Sequence, residues 1–148
     1  MVLDAGSKKH GMEALMPYVD VVVASSLFRQ SWFGDSEMPG EQVLAELGVD
    51  SVVTTHGANG ARWLSARGAV EVAGVQVKAV DTNGAGDVFC GAMLVGLSSG
   101  WSRDKTLTFA NAQAARSCEH YGNRAWLDGL DQLSGQERSI GTAATDHR

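Results

Sequence analysis

The segment from Asp81 to Asp87, which reads Asp-Thr-Asn-Gly-Ala-Gly-Asp, combines the residue types that phosphoryl transfer needs. A predicted strand precedes it and a predicted long helix follows. Its backbone N–H groups therefore lie at a helix N-terminus, where unpaired donors and partial positive charge favour an anion. Gly84 and Gly86 let a phosphate approach the backbone without a Cβ in the way. Asp87 could take a proton from a hydroxyl group while the amides stabilise charge on the transferred group, so the spacing predicts phosphotransfer.

Other interpretations of this loop fit the residues less well or equally well. A Walker loop requires a lysine after the glycines, and none follows here. A dinucleotide fingerprint requires glycine or alanine at its sixth position, which Phe89 occupies in this chain. The remaining alternative is that Asp81 and Asp87 only cap a helix and that the glycines form a tight turn. The loop residues alone do not decide between a site and a cap.

Strands and helices must alternate along the chain to position this loop. Short apolar runs are typical of buried strands. Val75, Val77 and Ala79 alternate with polar residues, as in a strand with one face exposed to solvent. The predicted strands are 1–6, 20–25, 51–55, 61–66, 69–72 and 75–79. The predicted helices are 11–16, 40–47, 87–97 and 102–120, with an irregular segment at 26–38. This order predicts an α/β fold with a mostly parallel sheet flanked by helices.

The composition limits the class of protein. The 148 residues are 44% hydrophobic and carry a net charge of −5, which is typical of one globular domain and argues against nucleic acid as the main partner. No apolar run reaches the roughly 18 residues of a membrane helix, and no secretion signal is present. We therefore expect a cytoplasmic protein without a membrane partner. Cys90 and Cys118 are expected to be free thiols on helices, since one cysteine pair suits a reducing compartment.

The loop and two further stretches resemble the ribokinase family of sugar kinases, also called the PfkB family. Residues 81–87 match that family's D-T-x-G-A-G-D signature. Residues 53–60, Val-Thr-Thr-His-Gly-Ala-Asn-Gly, resemble the family's strand and its T-x-G-x-x-G nucleotide loop. The helix around Asn111, with the Tyr-Gly pair at 121–122, resembles the helix that covers adenine. The resemblance extends over residues 2 to about 130 and implies a ribokinase-like fold.

This resemblance implies roles for individual residues. Asp87 would be the general base that deprotonates a sugar hydroxyl group, and the γ-phosphate would lie in an anion hole of backbone amides. The residues implied to form that anion hole are Gly84, Ala85 and Gly86. Those implied to bind ATP are Thr55, Gly57 and Gly60 at the phosphates and ribose, Asn111 near adenine, and Gly86. The implied cofactors are ATP and Mg²⁺.

A monovalent cation, K⁺ being the candidate, is also implied by the resemblance. Its ligands would be backbone carbonyl groups, so side-chain identity carries little information about them. The residues implied to provide these carbonyl groups are Asp81, Asn83, Ser117, His120 and Gly122.

Two departures from the family pattern qualify the resemblance. The family's N-x-x-E motif, which helps to organise Mg²⁺ and phosphate, corresponds here to a stretch with Ser25 in place of the asparagine and Phe28 in place of the glutamate. The chain also resembles only the C-terminal half of such a kinase, as though truncated at its N-terminus. We expect residues 1–134 to form that nucleotide-binding half and residues 135–148 to form a polar, flexible tail.

Two functions are consistent with these features. The first is ATP-dependent phosphorylation of a small sugar, with Asp87 as the base. The second is a truncated nucleotide-binding module, weak or inactive in catalysis, that needs a partner chain or the missing half. The chain starts inside a predicted strand, so we expect an unprotected sheet edge and association through it, most simply as a homodimer. The resemblance implies that most of the residues that would choose the sugar lie in the N-terminal half, which we expect this chain to lack.

Overall fold

A mixed five-stranded sheet forms the centre of the structure, a computed structural model that describes residues 1–34, 40–122, 124–125 and 127. The strand order follows the chain, and the first three strands are parallel whereas the last two continue as an antiparallel hairpin. The strands are β1 (Val2–Ala5), β2 (Val21–Ala24), β3 (Ser51–Thr55), β4 (Ala61–Ser65) and β5 (Gly68–Val72).

In the part of the chain that the structure describes, four α-helices cover the two faces of this sheet, which confirms the predicted α/β class. They are α1 (Ser26–Phe33), α2 (Gly40–Leu47), α3 (Ala85–Ser98) and α4 (Arg103–Ser117). Single turns of 3₁₀-helix lie between consecutive strands, at Met12–Ala14 and Met16–Tyr18 between β1 and β2 and at Gly57–Asn59 between β3 and β4. Within the described residues, no helix is both long and apolar enough to cross a membrane.

The sheet has a separate apolar core on each face because successive side chains of a strand point to opposite sides. Val22 and Val52 pack with Phe28 of α1 on one face. Val21 and Val53 pack with α3 and α4 on the other face. All four residues of β2 are buried, as predicted for a strand covered on both sides.

Residues 26–33 are wrongly predicted to be irregular, since they form α1. The Ser25 side chain accepts a hydrogen bond from the Phe28 N–H at 3.1 Å and thereby caps the helix. Phe28 is only 1% exposed, and its ring lies 5.3 Å from that of Trp32, one helical turn away. Burial of this aromatic pair outweighs the polar residues that surround it. Residues 35–38 of the predicted irregular segment lie outside the described residues.

The prediction of a helix at 11–16 is also wrong, because residues 12–18 form the first two 3₁₀ turns instead. Gly11 precedes them with φ +80°, and Pro17 lies inside the second turn rather than after the helix. A proline without an N–H group cannot extend an α-helical hydrogen-bond pattern.

The strand predicted at 75–79 does not form, and these residues belong to no helix or strand. The Asn111 side chain donates a hydrogen bond to the Ala73 carbonyl oxygen at 2.7 Å. The Val80 N–H donates to the Cys118 carbonyl oxygen at 2.7 Å. Residues 73–80 are therefore held by α4 and the turn after it, not by a neighbouring strand.

Helices α3 and α4 pack very closely, which fixes the position of the loop before α3. A Cβ on Gly96 would lie 2.6 Å from the Thr106 side chain, so the helices could not approach this far with any larger residue. Helix α3 begins at Ala85, two residues before its predicted start, and α4 lies within the predicted 102–120. The two cysteines are free thiols, with Cys118 buried and Cys90 partly buried.

Candidate active site

The N-terminus of α3 has donors that no protein group uses. Gly84 precedes the helix with φ +77°, and no side chain caps it. The Ala85 N–H donates to the Thr82 carbonyl oxygen at 3.3 Å, and the Val88 N–H donates to the Gly84 carbonyl oxygen at 3.0 Å. In the described part of the chain, the N–H groups of Gly86 and Asp87 have no acceptor. These two amides are available to an anion.

Asp81 holds this loop against the turn after α4. Its carboxylate accepts hydrogen bonds from the N–H groups of Asn83 and Gly122, each at 3.0 Å. These bonds stabilise the charged form, so they lower the pKa of Asp81 below its usual value. Asp81 therefore caps its own loop and joins residues that lie 41 positions apart in the sequence.

A mostly apolar cleft of about 230 Å³ lies beside the open amides. Asn111 lines this cleft, and so do four other residues predicted to bind ATP or its γ-phosphate. These are Thr55, Gly57, Ala85 and Gly86. The apolar part of its wall comes from Val75, Val77, Phe89 and Ala114. A small number of polar groups in an apolar cleft is typical of a ligand site, and this one suits a flat heterocycle with a polar extension. We call it the first cleft.

A second cleft of about 200 Å³ adjoins the first one. The two share Thr55 and Gly86, so Gly86 and its amide lie where they meet. Asp87, the predicted base, lines only the second cleft, together with Gly84 and Asp4. An acceptor hydroxyl group in the second cleft would thus face a carboxylate beside an anion-binding helix start.

Asp4, at the carboxyl end of β1, is a site residue that the sequence reasoning missed. Partial burial and the charge of Asp87 both raise the pKa of Asp4. Burial together with Asp4 and Asp87 raises the pKa of Cys90 to about 11, so this thiol is not an activated nucleophile. The sequence did contain one signal for Asp4. It lies at the carboxyl end of a predicted parallel strand, and ligands bind at that end of such sheets.

Gly60, predicted to line the ATP phosphates, is not among the residues that line the first cleft. It has φ +102°, and a Cβ there would overlap the Val72 carbonyl oxygen. A Cβ on Gly74 would similarly overlap the Ala58 carbonyl oxygen. The turn at Gly57–Asn59 and the segment after β5 are therefore packed backbone against backbone, and Gly60 shapes the nucleotide loop indirectly.

Asn111 lines the first cleft, but its Nδ2 is already bonded to Ala73. Ser25 and Phe28, at the positions of the N-x-x-E motif, provide no carboxylate, although Ser25 lines the second cleft. The Ser25 hydroxyl donates to the Gly6 carbonyl oxygen at 2.6 Å and accepts from Phe28, whose own side chain is in the core. Metal binding by this stretch is therefore not supported.

The residues predicted to surround a monovalent cation lie in two adjacent segments, 81–83 and 117–122. The bonds of Asp81 and the Val80–Cys118 bond join these segments. The Ser117 carbonyl oxygen already accepts a long 3.5 Å hydrogen bond from the His120 N–H. Among the described residues, no three His, Cys, Asp or Glu side chains form a metal-binding group.

Comparison with protein families and curated proteins gives consistent matches. The model of the pfkB family carbohydrate kinases matches residues 1–128. Aminoimidazole riboside kinase of Salmonella typhimurium is 36% identical over 96 residues, which are 62% of this chain and 30% of that protein.

Solved structures show the same fold. A ribokinase from Thermotoga maritima matches with a TM-score of 0.76 and 25% identity, over 90% of this chain and 48% of that one. A fructokinase from Vibrio cholerae, solved with fructose, ADP and calcium ion, matches with a TM-score of 0.67 and 31% identity, over 78% of this chain and 40% of that one. A double mutant of the latter was solved with potassium ion. The chain spans less than half the length of each of these relatives.

Proposed function

The chain belongs to the pfkB family of carbohydrate kinases, and on that premise we propose that it transfers the terminal phosphoryl group of ATP to a hydroxyl group of a small sugar. One observation carries the proposal. The open amides of Gly86 and Asp87 lie where an apolar cleft meets a second cleft that contains the Asp87 carboxylate. The free thiols of Cys90 and Cys118 suit a reducing compartment, and we place the protein in the cytoplasm.

ATP would occupy the first cleft with its phosphates directed towards the second. The apolar wall suits adenine, with Asn111 beside it. Thr55 and Gly57 would contact the ribose and phosphates, and the γ-phosphate would reach the amides of Gly86 and Asp87 at the junction. Gly60 supports this arrangement by letting the nucleotide loop pack against the segment after β5.

Asp87 would act as the general base towards a hydroxyl group in the second cleft. It accepts the hydroxyl proton as the oxygen forms a bond to the γ-phosphorus, while the bond from that phosphorus to the bridging oxygen breaks and ADP leaves. The amides of Gly86 and Asp87, with the Gly84 amide behind them, would stabilise negative charge on the phosphoryl oxygens. Placing the base directly at the anion site requires no movement of the helix.

Mg²⁺ would bind together with ATP and would neutralise part of the phosphate charge. Its preferred partners are one or two carboxylates together with phosphate oxygens and water. Asp4, which lines the second cleft beside Asp87, provides such a carboxylate and leaves Asp87 to act as the base, whereas Ser25 and Phe28 provide none. We further propose that backbone carbonyl groups of the segments 81–83 and 117–122 bind K⁺ and stabilise the loop before α3.

A second candidate is a nucleotide-binding module that needs another polypeptide for catalysis. Within the described residues, β1 has no partner on its outer edge. Leu94 and Val95 of α3 are 48% and 47% exposed, and the chain spans less than half of its solved relatives. We propose that residues 1–134 form the nucleotide-binding half of the fold and that the open edge pairs with a second copy or a complementary chain. The tail predicted at 135–148 lies outside the described residues.

Both proposed functions require nucleotide binding. Calorimetric titration of the purified chain with ATP, ADP and AMP in the presence of Mg²⁺ tests this requirement. We expect saturable binding that weakens from ATP to AMP, because the terminal phosphates reach the open amides. Equal affinity for the three nucleotides would contradict the assignment of the anion site. A folded chain that binds none of them would contradict both candidates.

Sugar-dependent release of ADP separates the two candidates. The kinase predicts ADP release by the chain alone with at least one member of a panel of pentoses, hexoses and their nucleosides. The module predicts ATP binding without turnover, together with self-association in sedimentation velocity experiments. A stable monomer without turnover would contradict the proposed association through β1.

A further inference from the structure

A third cavity, of about 90 Å³, lies on the face of the sheet opposite the first cleft. Thr54 and Thr55 are neighbours in β3 and therefore point to opposite faces. Thr55 lines the first and second clefts, whereas Thr54 lines this cavity. The cavity is thus separated from the nucleotide site by a single strand, and we call it the rear cavity.

The rear cavity has an apolar floor and a basic rim. Phe28 and Leu47 contribute to the floor from α1 and α2. Arg29, His56 and Arg62 form the rim, and no acidic side chain of the described residues lines the cavity. This concentration of basic groups is a local exception in a chain of net charge −5.

The pairing of these basic groups leaves charge available to a ligand. Arg62 has an ion pair in which its Nε lies 3.0 Å from the Glu71 carboxylate, but both side chains are largely exposed, so this pair is weak. Arg29 is partly buried and has no ion pair with any described residue. A partly buried guanidinium group beside an apolar floor favours an oxyanion, with which it can form two parallel hydrogen bonds.

The position of the rear cavity also favours ligand binding. It lies at the carboxyl ends of β2 and β3, next to Ala24 and Thr54, and ligands of open α/β sheets bind at that end of the strands. Its volume equals that of about three water molecules at about 30 Å³ each, which is enough for one tetrahedral oxyanion. We propose that the rear cavity binds a single phosphate group through Arg29, Arg62 and His56.

This site does not depend on the proposed kinase function. Its residues lie on the other face of the sheet, and only Thr54 and His56 are adjacent in sequence to residues that line the first cleft. His56, however, connects β3 directly to the turn at Gly57–Asn59 that lines the first cleft. A phosphate in the rear cavity would therefore border the segment that carries the nucleotide loop.

Phosphate binding can be located by ¹H–¹⁵N NMR of the whole chain titrated with inorganic phosphate. We expect saturable shifts of the Arg29 and Arg62 Nε–H groups and of the His56 amide. The Arg29→Gln variant should weaken the affinity read from these shifts by about tenfold or more, as expected for a charged hydrogen-bond donor. Arg67→Gln, which removes the same charge from the turn between β4 and β5, should leave the affinity within about twofold.

Phosphate that binds only at the α3 N-terminus gives a different pattern, with shifts at Gly86 and Asp87 and none at Arg29 or His56. That result would overturn the rear site and leave the proposed kinase function intact. Equal weakening by Arg29→Gln and Arg67→Gln would also overturn it, because the effect would then be one of net charge. If Arg29→Gln lowers the folded population, Arg62→Gln is compared with Arg67→Gln instead, because Arg62 lies in β4 and not in α1.

A second titration distinguishes free phosphate from the phosphate end of an organic molecule. A monoalkyl phosphate should shift the same resonances and additionally those of the floor residue Leu47 if the natural ligand is an ester. Binding of inorganic phosphate but not of the ester assigns the cavity to the free ion. Absence of shifts around the rear cavity with both compounds would refute the proposal.

Discussion

Helices α3 and α4 are neighbours of similar length with an acidic residue in the first turn of each, yet they begin in opposite ways. Helix α4 starts after Ser102, whose side chain accepts a hydrogen bond from the Lys105 N–H at 3.3 Å. Helix α3 starts after Gly84, and no side chain caps it. Asp104 therefore lies at a closed helix start and Asp87 at an open one.

This difference, together with the clefts beside α3, distinguishes a structural helix start from a candidate binding site better than the acidic residue does. An aspartate in the first turn stabilises any helix through the macrodipole. Only α3 combines that aspartate with unused amides and with two adjoining clefts. Among the described residues, α4 also leaves two N–H groups without an acceptor, those of Arg103 and Asp104, so the two clefts beside α3 distinguish the helix starts rather than the number of unused amides.

The largest expected effect is that of Asp87→Asn on phosphoryl transfer. Loss of the base should lower sugar-dependent ADP formation by about 10²–10⁴-fold, with little change in ATP affinity, because the backbone amides remain. Asp104→Asn makes the same chemical change at the closed helix start and should retain turnover. A steady-state assay of both variants beside the unmodified chain measures the difference. Equal turnover in the two variants would contradict the assignment of Asp87 as the general base.

A smaller effect is expected for Gly86→Ala, with opposite signs for binding and stability. A Cβ at this position has open space around it and φ is not positive, so the folded chain should gain about 0.5–1 kcal/mol from reduced backbone entropy of the unfolded state. The methyl group would lie where a phosphate approaches, and ATP affinity should fall about tenfold. Urea unfolding and calorimetry measure the two quantities. An unchanged affinity would mean that the phosphates do not pass Gly86.

Ser102→Ala tests the closed helix start. Loss of the cap should reduce the free energy of unfolding by about 1 kcal/mol. ATP affinity should stay the same, since Ser102 lines neither cleft. Ser98→Ala, which removes a hydroxyl group from the C-terminal end of α3, is the matched control and should cost less. A loss of nucleotide binding in Ser102→Ala would show that both helix starts contribute to the site.

The smallest effect concerns Asp81, which closes the loop in front of α3. Its pKa is lowered on folding by the N–H groups of Asn83 and Gly122. The ionised form therefore contributes stability above the usual pKa, and this contribution disappears as the pH falls through the lowered pKa. We expect the difference in unfolding free energy between about pH 7 and about pH 3 to be smaller in Asp81→Asn than in the unmodified chain. Identical pH profiles in urea unfolding would contradict this role.

The sequence predicted the elements whose signal is local and strong. The buried strand β2 is a continuous apolar run, and α2 and the loop before α3 have their expected positions. Helix α1 was missed because its apolar residues Phe28 and Trp32 are few and become decisive only when they pack on the sheet. The segment 75–79 has the alternation of a strand, but its hydrogen bonds go to Asn111 and Cys118, which no local pattern reveals.

The site was predicted in part for the same reason. Gly86, Asp87 and Thr55 belong to short motifs, and the structure brings them to adjoining clefts. Asp4 was missed because it is close to Asp87 only through the packing of α3 beside β1. Gly60 has a recognisable motif position, but its conformation serves contact with the Val72 backbone rather than an exposed surface.

The backbone contact of Gly60 and Gly74 has a consequence for the order in which the protein folds. The contact joins the two ends of the β4–β5 hairpin, since one glycine precedes β4 and the other follows β5. Hairpin contacts are local in sequence and form early, whereas the pairing of β3 with β2 closes a longer loop. We therefore expect the nucleotide loop to acquire its shape while the hairpin closes, before α3 and α4 dock. The phosphate-binding half of the site would then be the last part of the cleft to assemble.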